Sequence, residues 1–220
     1  MKREIVFTED GSTSLFLADW QEGYHSKHGA IQEAKHVFIK NGLQLFENQK
    51  VNVLEIGFGT GLNAFITYLE AKKKDQKIDY IGVEAFPVLP AEAALMNYVA
   101  QLDAAEEAAI FEKMHQIDWN TKIQISDTFC LTKRLQNFEA ISDQSQFDLI
   151  YFDAFGYRVQ PDLWSTPMFQ KMFEALKPGG VLVTYAARGV IKRSMIEVGF
   201  LVEKLPGAPG KREMMRASKP

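Results

Sequence analysis

Three alternating glycines, Gly57, Gly59 and Gly61, separate an apolar stretch from a helix-like one. Glycine lets the backbone approach a ligand closely, and ligands of open α/β sheets bind beyond the carboxyl ends of the strands. The G-x-G-x-G spacing differs from the G-x-G-x-x-G of dinucleotide binders, which seat a pyrophosphate at a helix N-terminus. The loop, with Glu55 before it and Asn63 after it, therefore predicts a binding site for a ligand without phosphate.

Three acidic residues end later predicted strands, where they would face the same ligand. Glu84 ends the second strand, about 20 residues beyond the glycines, where a carboxylate accepts hydrogen bonds from two ribose hydroxyls. Asp127 ends the third strand and either accepts an adenine amino group or caps the following helix. Asp153 ends the fourth strand, where it either orients a reacting group or caps the next segment.

Four residues near the N-terminus, Tyr24, His25, Ser26 and His28, lie close enough in sequence to be mistaken for a metal site. Metal ligation needs further donors at defined spacing, and none is evident in the sequence. We expect instead a lid over the ligand, in which hydrogen bonds satisfy the histidines and Tyr24 lines the pocket.

Strands and helices alternate along the chain, and this order must position the side chains named above. Strands are predicted at Val51–Ile56, Ile78–Val83, Lys122–Ser126, Phe147–Phe152 and Val181–Tyr185, the last after a turn at Lys177–Gly180. Helices are predicted at Leu62–Lys73 and Leu89–Leu102, and a closing strand pair with an antiparallel edge at Phe200–Leu205 and Met214–Ser218. This order predicts a mostly parallel, doubly wound α/β sheet with right-handed crossovers.

Length and composition favour one domain. The 220 residues, 46% hydrophobic, can bury one substantial core, with residues 1–48 as an N-terminal extension or lid and 49–220 as the core. The single cysteine, Cys130, excludes an intramolecular disulfide and favours a reducing, cytoplasmic location. The chain shows neither a signal-peptide pattern nor an apolar run of about 18 residues, so we expect no membrane association.

Basic residues are concentrated near the C-terminus. The net charge is −3, yet residues 188–220 hold eight basic and three acidic side chains. This segment is either a solvated surface or a surface that contacts phosphates. Arg188, Lys211 and Arg212 are the candidates for the second alternative.

The sequence resembles a family of methyltransferases that make 5-methylaminomethyl-2-thiouridine at the wobble position of tRNA. The resemblance covers nearly the whole chain, and its most specific segments are Tyr24–Ala30, Asp153–Phe155 with Pro161–Trp164, and Lys211–Met214. The chain departs from the family at Gly156-Tyr157-Arg158, where a proline is usual. A second, flavin-binding glycine motif, present where the family's domain is fused to an oxidase, is also missing.

The resemblance implies a Rossmann-like class I methyltransferase with a seven-stranded sheet and S-adenosylmethionine as cofactor. The reaction would convert 5-aminomethyl-2-thiouridine to the methylaminomethyl form, on a precursor supplied by a separate oxidase or aminomethyl-forming enzyme. Asp153 would orient the unprotonated amine and stabilise the positive charge that grows on its nitrogen. The anticodon loop of tRNA is the expected partner, because unstacked bases enter a pocket at little cost.

Three aromatic residues, Phe155, Tyr157 and Trp164, either stack on the extruded base or pack in the core. Two other functions stay open. One is methyl or aminopropyl transfer to a small free amine, which would need an acidic pocket. The other is a silent RNA-binding module, against which the intact glycine loop, Glu84 and Asp153 argue.

Overall fold

The structure is a computed structural model and describes residues 2–220. Within that range the strands are β1 Arg3–Phe7, β2 Thr13–Leu17, β3 Glu22–Gly23, β4 Val51–Ile56, β5 Ile78–Glu84, β6 Lys122–Ser126, β7 Phe129–Leu135, β8 Phe147–Phe152, β9 Leu176–Thr184, β10 Leu201–Pro206 and β11 Glu213–Ser218. The α-helices are α1 Ala30–Ala34, α2 Leu62–Lys73, α3 Pro90–Ala93, α4 Tyr98–Gln101, α5 Ala108–Gln116, α6 Thr166–Ala175 and α7 Gly189–Glu197. A π-helical turn, Lys35–Lys40, extends α1, and 3-10 turns occupy Leu43–Leu45, Ala105–Glu107, Phe138–Ala140 and Pro161–Trp164.

Eight strands form the main sheet, in the order β10-β11-β9-β8-β4-β5-β7-β6. The pairs from β9 to β7 are parallel, whereas β11 pairs with β9 and β10 with β11 in antiparallel fashion. The predicted doubly wound α/β class and the antiparallel closing pair are confirmed. The boundaries of α2 also agree with the predicted helix.

Successive residues of the central strand face opposite sides of the sheet, so two cores form. Val51 and Val53 pack with Phe65 of α2 on one face, together with α5 and the segment after residue 30. Leu54 and Ile56 pack on the other face, where α6 and α7 contribute their apolar sides. Helices therefore cover both faces, as near-continuous apolar strands require.

The sheet has one strand more than predicted, because β7 was not predicted. The predicted third strand lies at the edge of the sheet. Lys122–Ser126 is β6, which pairs antiparallel with β7, and β7 takes the parallel position beside β5. The residues of β7 alternate in burial, and its Phe129 ring lies 5.7 Å from that of Tyr80. The more exposed β6 is suited to an edge.

The predicted helix at Leu89–Leu102 is interrupted and forms α3 and α4. Asn97, between them, accepts a hydrogen bond from Thr13 N (2.8 Å) and donates one to Gly11 O (2.9 Å). These contacts with the N-terminal segment replace helix continuity, so tertiary structure overrides local propensity. The predicted turn at Lys177–Gly180 likewise lies inside β9, where the register against β8 shifts.

The N-terminal segment forms a small antiparallel sheet of its own, in the order β1-β2-β3. We call these strands the N-terminal sheet. It contacts the loops that follow the central strands, through Asn97 and through Arg3, whose side chain bonds to Phe86 O and Glu92. Among residues 2–220, no helix has the length and hydrophobicity needed to cross a bilayer.

Candidate active site

A cavity of about 550 Å³ lies between the N-terminal sheet and the carboxyl ends of the central strands. The glycine loop after β4, Glu84 at the end of β5 and Asp153 after β8 all line it. Residues of the β2–β3 segment, including Trp20 and Tyr24, form the opposite wall. Residues from four distant parts of the chain therefore meet at one site, where open α/β sheets bind their ligands.

The three glycines of the loop adopt left-handed backbone angles, but they serve different purposes. Gly57 (φ +92°) and Gly59 (φ +50°) line the cavity, and a Cβ on Gly57 would lie 2.7 Å from Asp153 O. Gly61 (φ +73°) does not line it, and a Cβ there would lie 2.8 Å from His115 Nε2. Gly61 therefore permits packing behind the loop, whereas Gly57 and Gly59 permit the loop to pack against Asp153 and the Tyr24 ring at the cavity.

Glu84 is fixed at the cavity wall by two backbone groups. Its Oε2 accepts a hydrogen bond from Gly59 N (3.0 Å), and its Oε1 accepts one from Phe86 N (2.9 Å). The carboxylate therefore joins the end of β5 to the glycine loop. Its position agrees with the predicted one, and its contact with a ribose stays a prediction.

A buried hydrogen-bond network lies beneath the loop. Asn63 Nδ2 donates to Glu55 Oε1 (2.9 Å) and to Asp153 Oδ2 (2.8 Å). Because both amide protons are used, this network assigns the orientation of the Asn63 side chain. Glu55 is fully buried and lies outside the cavity lining, so the direct ligand contact predicted for it is wrong. Burial raises the pKa of Glu55 well above its ordinary value, because the charged form loses its hydration.

Asp153 lines the cavity and has a raised pKa. Burial, and then the nearby negative charge of Glu33, raise the pKa of Asp153 to about 7, while the Asn63 hydrogen bond and the positive charge of Lys211 oppose the shift. A carboxyl with this pKa can exchange a proton at neutral pH. The site therefore contains a group suited to proton transfer or to orienting an amine.

Asp127 lies at the wrong end of the sheet for the predicted adenine contact. It is exposed in the β6–β7 turn, and its neighbour Thr128 accepts a hydrogen bond from Ile78 N, at the start of β5. Glu84 is at the other end of that strand, about 20 Å away for seven residues. The end of β7 instead leads to Asn137, which lines the cavity.

Aromatic rings line the cavity next to the glycine loop. Phe155 packs edge-on against Tyr24 (5.0 Å between ring centroids) and Trp20 (5.4 Å). Trp164 is 1% exposed and donates through Nε1 to Phe155 O (2.8 Å), so core packing is its role. Tyr157 lies outside the lining, with the Arg188 guanidinium 5.7 Å from its ring.

The predicted basic residues divide between the cavity and the surface. Lys211 lines the cavity, where it forms an ion pair with Glu33 and lies 4.0 Å from the Tyr185 ring centroid. Arg188 and Arg212 are exposed and lie outside the lining. These two arginines are therefore not placed to contact a molecule that lies wholly inside the cavity. They are placed to contact the part of a larger ligand that remains outside it.

Several wall residues were not predicted as site residues, namely Trp20, His25, Lys27, Glu33, Asn137 and Tyr185. Asn137 follows β7, a strand that the sequence did not reveal. Glu33 follows shortly after the Tyr24–Ala30 segment of the family resemblance, but its position near Asp153 depends on the tertiary fold.

The histidines of the N-terminal region are held by hydrogen bonds, as predicted. His25 Nδ1 pairs with Ser14 Oγ (2.8 Å), and His28 Nδ1 pairs with Glu9 Oε2 (2.8 Å). Burial lowers the pKa of His25 to about 4, so its ring is neutral at physiological pH.

The cavity wall carries more negative than positive charge. Five carboxylate side chains line it, compared with two lysines, Lys27 and Lys211. One of these lysines is already paired with Glu33. A wall of this composition favours a cationic ligand over an anionic one.

A comparison with known protein families gives a match to the S-adenosyl-L-methionine-dependent methyltransferase family over residues 93–220, more than half of the chain. The chain belongs to this family. It is thus an enzyme that uses S-adenosylmethionine, as the sequence predicted.

Relatives among characterised proteins match almost all of this chain. The tRNA 5-methylaminomethyl-2-thiouridine biosynthesis bifunctional protein MnmC of Hydrogenovibrio crunogenus is 27% identical over 97% of this chain and 33% of its own length. The protein of the same name from Ralstonia nicotianae is 31% identical over 93% of this chain and 33% of its own length. The resemblance read from the sequence is confirmed, and the chain spans about a third of the length of these relatives.

Solved structures support the fold. MNMC2 from Aquifex aeolicus superposes with a TM-score of 0.74 at 23% identity, covering 100% of this chain and 72% of that one. Spermidine synthase from Thermotoga maritima gives a TM-score of 0.54 at 17% identity, covering 98% of this chain and 72% of that one. At these identities both comparisons show the fold alone.

The residues of the cavity fit S-adenosylmethionine on structural grounds. Gly57 and Gly59 bring side-chain-free backbone to the cavity, and the acidic wall suits a sulfonium cation. Within residues 2–220, the buried Asn63 Oδ1 has no hydrogen-bond partner, so it remains available as an acceptor.

Proposed function

We propose that this chain transfers the methyl group of S-adenosylmethionine to the primary amine of 5-aminomethyl-2-thiouridine at the tRNA wobble position, giving 5-methylaminomethyl-2-thiouridine. The observation that carries the proposal is the place of Asp153. Its carboxyl lines the same cavity as the glycine loop, is held by Asn63 and has a pKa raised to about 7. The names of the relatives supply the substrate.

The glycine loop and two strand ends would hold the cofactor. Gly57 and Gly59 would present side-chain-free backbone to it, Glu84 would accept hydrogen bonds from its ribose hydroxyls, and Asn137 would face its adenine edge in place of Asp127. When bound, S-adenosylmethionine supplies an electrophilic methyl group on a positively charged sulfur. The carboxylates of the wall stabilise that positive charge.

Asp153 would act on the acceptor amine. An amine attacks through its lone pair, so it must be unprotonated in the reactive complex. The Asp153 carboxylate accepts an N–H hydrogen bond from the amine and stabilises the positive charge that grows on nitrogen. Asn63 fixes the carboxylate at 2.8 Å, so little reorganisation is needed as the reaction proceeds.

The aromatic wall and the surface cations would hold the nucleotide. Phe155, Tyr24 and Trp20 offer ring faces and edges to a base extruded from the single-stranded anticodon loop. Arg188 and Arg212, exposed outside the cavity, would contact the phosphates that remain outside. A preceding reaction would form the aminomethyl group of the precursor tRNA.

One observation favours a second candidate, methyl or aminopropyl transfer to a small free amine. The five carboxylates of the wall supply the acidic pocket that such a substrate needs, so they would also attract a polyamine. Such a substrate has no need of the exposed arginines or of three aromatic rings at the wall. We therefore place tRNA first.

The test is incubation of the purified protein with labelled S-adenosylmethionine and tRNA from cells that lack the wobble-uridine methyltransferase, with spermidine in a parallel reaction. Nucleosides from the digested tRNA are identified by mass spectrometry. Label in 5-methylaminomethyl-2-thiouridine is the expected result. Label in spermidine alone would replace tRNA with a small amine as the substrate.

A further inference from the structure

Two arginines fasten the N-terminal sheet to opposite sides of the cavity mouth. Arg3 joins β1 to the loop after β5, and Arg158 joins the loop after β8 to the β2–β3 turn. In the main sheet, β5 and β8 flank β4 on its two sides. One arginine is therefore near Glu84, on the cofactor side, and the other is near Asp153, on the acceptor side.

The Arg3 guanidinium uses all three of its nitrogens. Nε donates to Tyr24 Oη (3.0 Å), Nη1 to Glu92 Oε2 (2.9 Å) and Pro87 O (3.2 Å), and Nη2 to Phe86 O (2.6 Å). Its side chain is only 10% exposed. Multiple charge-assisted bonds of a planar fork in a sheltered place make a strong and geometrically specific link.

The link through Tyr24 reaches the cofactor site directly. A Cβ on Gly59 would lie 3.3 Å from the Tyr24 ring, so that ring rests over the glycine loop. Arg3 thus holds one ring against the loop and, with the same guanidinium, holds the segment that follows Glu84. Release of Arg3 would loosen both walls of the cofactor half at once.

Arg158 makes a weaker link on the acceptor side. Its Nη2 donates to Glu22 Oε2 (2.7 Å), Gln21 O (3.2 Å) and Trp20 O (3.3 Å), but its side chain is 60% exposed. Exposed ion pairs contribute little, because water competes and salt screens them. Arg158 also belongs to the Gly156-Tyr157-Arg158 segment that departs from the resembled family.

We propose that Arg3 and Arg158 are positioning residues that hold the N-terminal sheet closed over the two halves of the cavity, Arg3 over the cofactor and Arg158 over the acceptor nucleotide. The Arg158 half rests on the proposed function, whereas the Arg3 half needs only the cofactor. The unequal links make the acceptor side the one that opens more readily.

The Arg3 half is tested by the dissociation rate of labelled S-adenosylmethionine, chased with unlabelled cofactor. Lys in place of Arg keeps the charge but loses the fork, so Arg3→Lys should release cofactor about tenfold faster. The KM for tRNA should change less than this, because Tyr24 is only one of the three rings offered to the base. Arg216→Lys, in a β10–β11 surface pair with Glu203, is the matched control and should leave the rate unchanged. An Arg3→Lys variant that is less heat-stable but releases cofactor at the normal rate would overturn this half.

The Arg158 half is tested by steady-state methylation of tRNA. Arg158→Gln should raise the KM for tRNA about threefold and leave cofactor dissociation unchanged. Glu22→Gln breaks the same pair from the other side and should raise the KM in the same direction. If Arg158 instead contacts a phosphate, Glu22→Gln will lower or preserve the KM, and this half of the proposal falls.

The outcomes separate the proposal from the proposed function. A wild-type protein that fails to methylate tRNA refutes the function, and the Arg3 measurement still decides the cofactor half. Equal effects of the Arg3 and Arg158 variants on both cofactor release and tRNA KM would overturn the division into two sides.

Discussion

At the scale of single residues, the acceptor side of the site depends on one carboxyl group whose charge is costly. Asp153 is pushed toward its protonated form by burial and by Glu33, yet the proposed reaction uses its ionised form. Asn63 offsets part of this cost through a 2.8 Å hydrogen bond. Activity and stability therefore place opposite demands on this side chain.

Replacing Asp153 should separate catalysis from cofactor binding. Asp153→Asn keeps the shape and an acceptor for Asn63 but removes the negative charge, so we expect kcat to fall about 100-fold or more. The dissociation constant for S-adenosylmethionine should change less than about threefold. Isothermal titration and a methylation assay measure the two quantities, and full activity in the variant would refute the assignment.

The same residue predicts how stability varies with pH. Folding raises the pKa of Asp153 from 3.8 to about 7, so the folded protein binds a proton here more tightly than the unfolded chain does. The stability that this proton contributes is lost as the pH rises from about 4 to 7. Asn cannot ionise, so the melting temperature of Asp153→Asn relative to wild type should increase across this range. His25 shifts in the opposite sense, but it is common to both proteins and cancels. A constant difference from pH 4 to 8 would contradict the raised pKa.

At the scale of elements, the sequence was most informative where a motif and a strand end coincide. The glycine loop, Glu84 and Asp153 were predicted from chain order because parallel strands bring their carboxyl ends to one edge. The strand β7 was not predicted, because Asp127 in the β6–β7 turn was interpreted as the residue that ends the third parallel strand. The pairing of Glu33 with Lys211 spans 178 residues and has no local signature.

Placing Asp127 at the far end of the sheet yields a direct test. Asp127→Asn should leave the dissociation constant for S-adenosylmethionine within about twofold of wild type. Glu84→Gln should weaken binding about tenfold or more, because a charged acceptor of ribose hydroxyls is lost. A large effect of Asp127→Asn would show that β6, and not β7, leads into the cofactor site.

The glycine loop predicts two glycine substitutions with different outcomes. Gly57→Ala combines a positive φ with a Cβ 2.7 Å from Asp153 O, so we expect a loss of about 2 kcal/mol or more in stability together with weaker cofactor binding. Gly179→Ala is the matched control, with φ +76° but no heavy atom within 4 Å of the added Cβ. It should lower the stability by about 1 kcal/mol and leave cofactor binding intact. Thermal unfolding and cofactor titration distinguish the two.

At the scale of the whole molecule, charge is divided between the inside and the outside of the site. Carboxylates outnumber basic groups on the cavity wall, where Lys211 is paired with Glu33. Arg188 and Arg212 are exposed on the surface outside the cavity. The sequence revealed the basic segment but not this division, because only the fold determines which cations point inward. A cationic methyl donor and an anionic RNA would thus meet surfaces of opposite sign.

This division predicts the salt dependence of tRNA binding. Each of Arg188→Gln and Arg212→Gln should reduce the slope of log K against log salt by about one, because one phosphate contact is lost. The affinity for S-adenosylmethionine should stay unchanged. Filter binding at several salt concentrations supplies the slopes, and unaltered slopes would remove these arginines from the RNA surface.

The N-terminal sheet also constrains the order in which the enzyme can be built. Its strands leave the ribosome before those of the main sheet, yet its bonding partners lie about 84 residues later for Arg3 and 136 for Glu22. Small isolated hairpins are marginally stable in water, so this sheet gains its full set of links only after the chain beyond residue 158 has been made. The N-terminal sheet is therefore synthesised before the strands that it covers, and its closure is completed after them. A nascent chain halted before that point would leave the acceptor side of the cavity without its link to the N-terminal sheet.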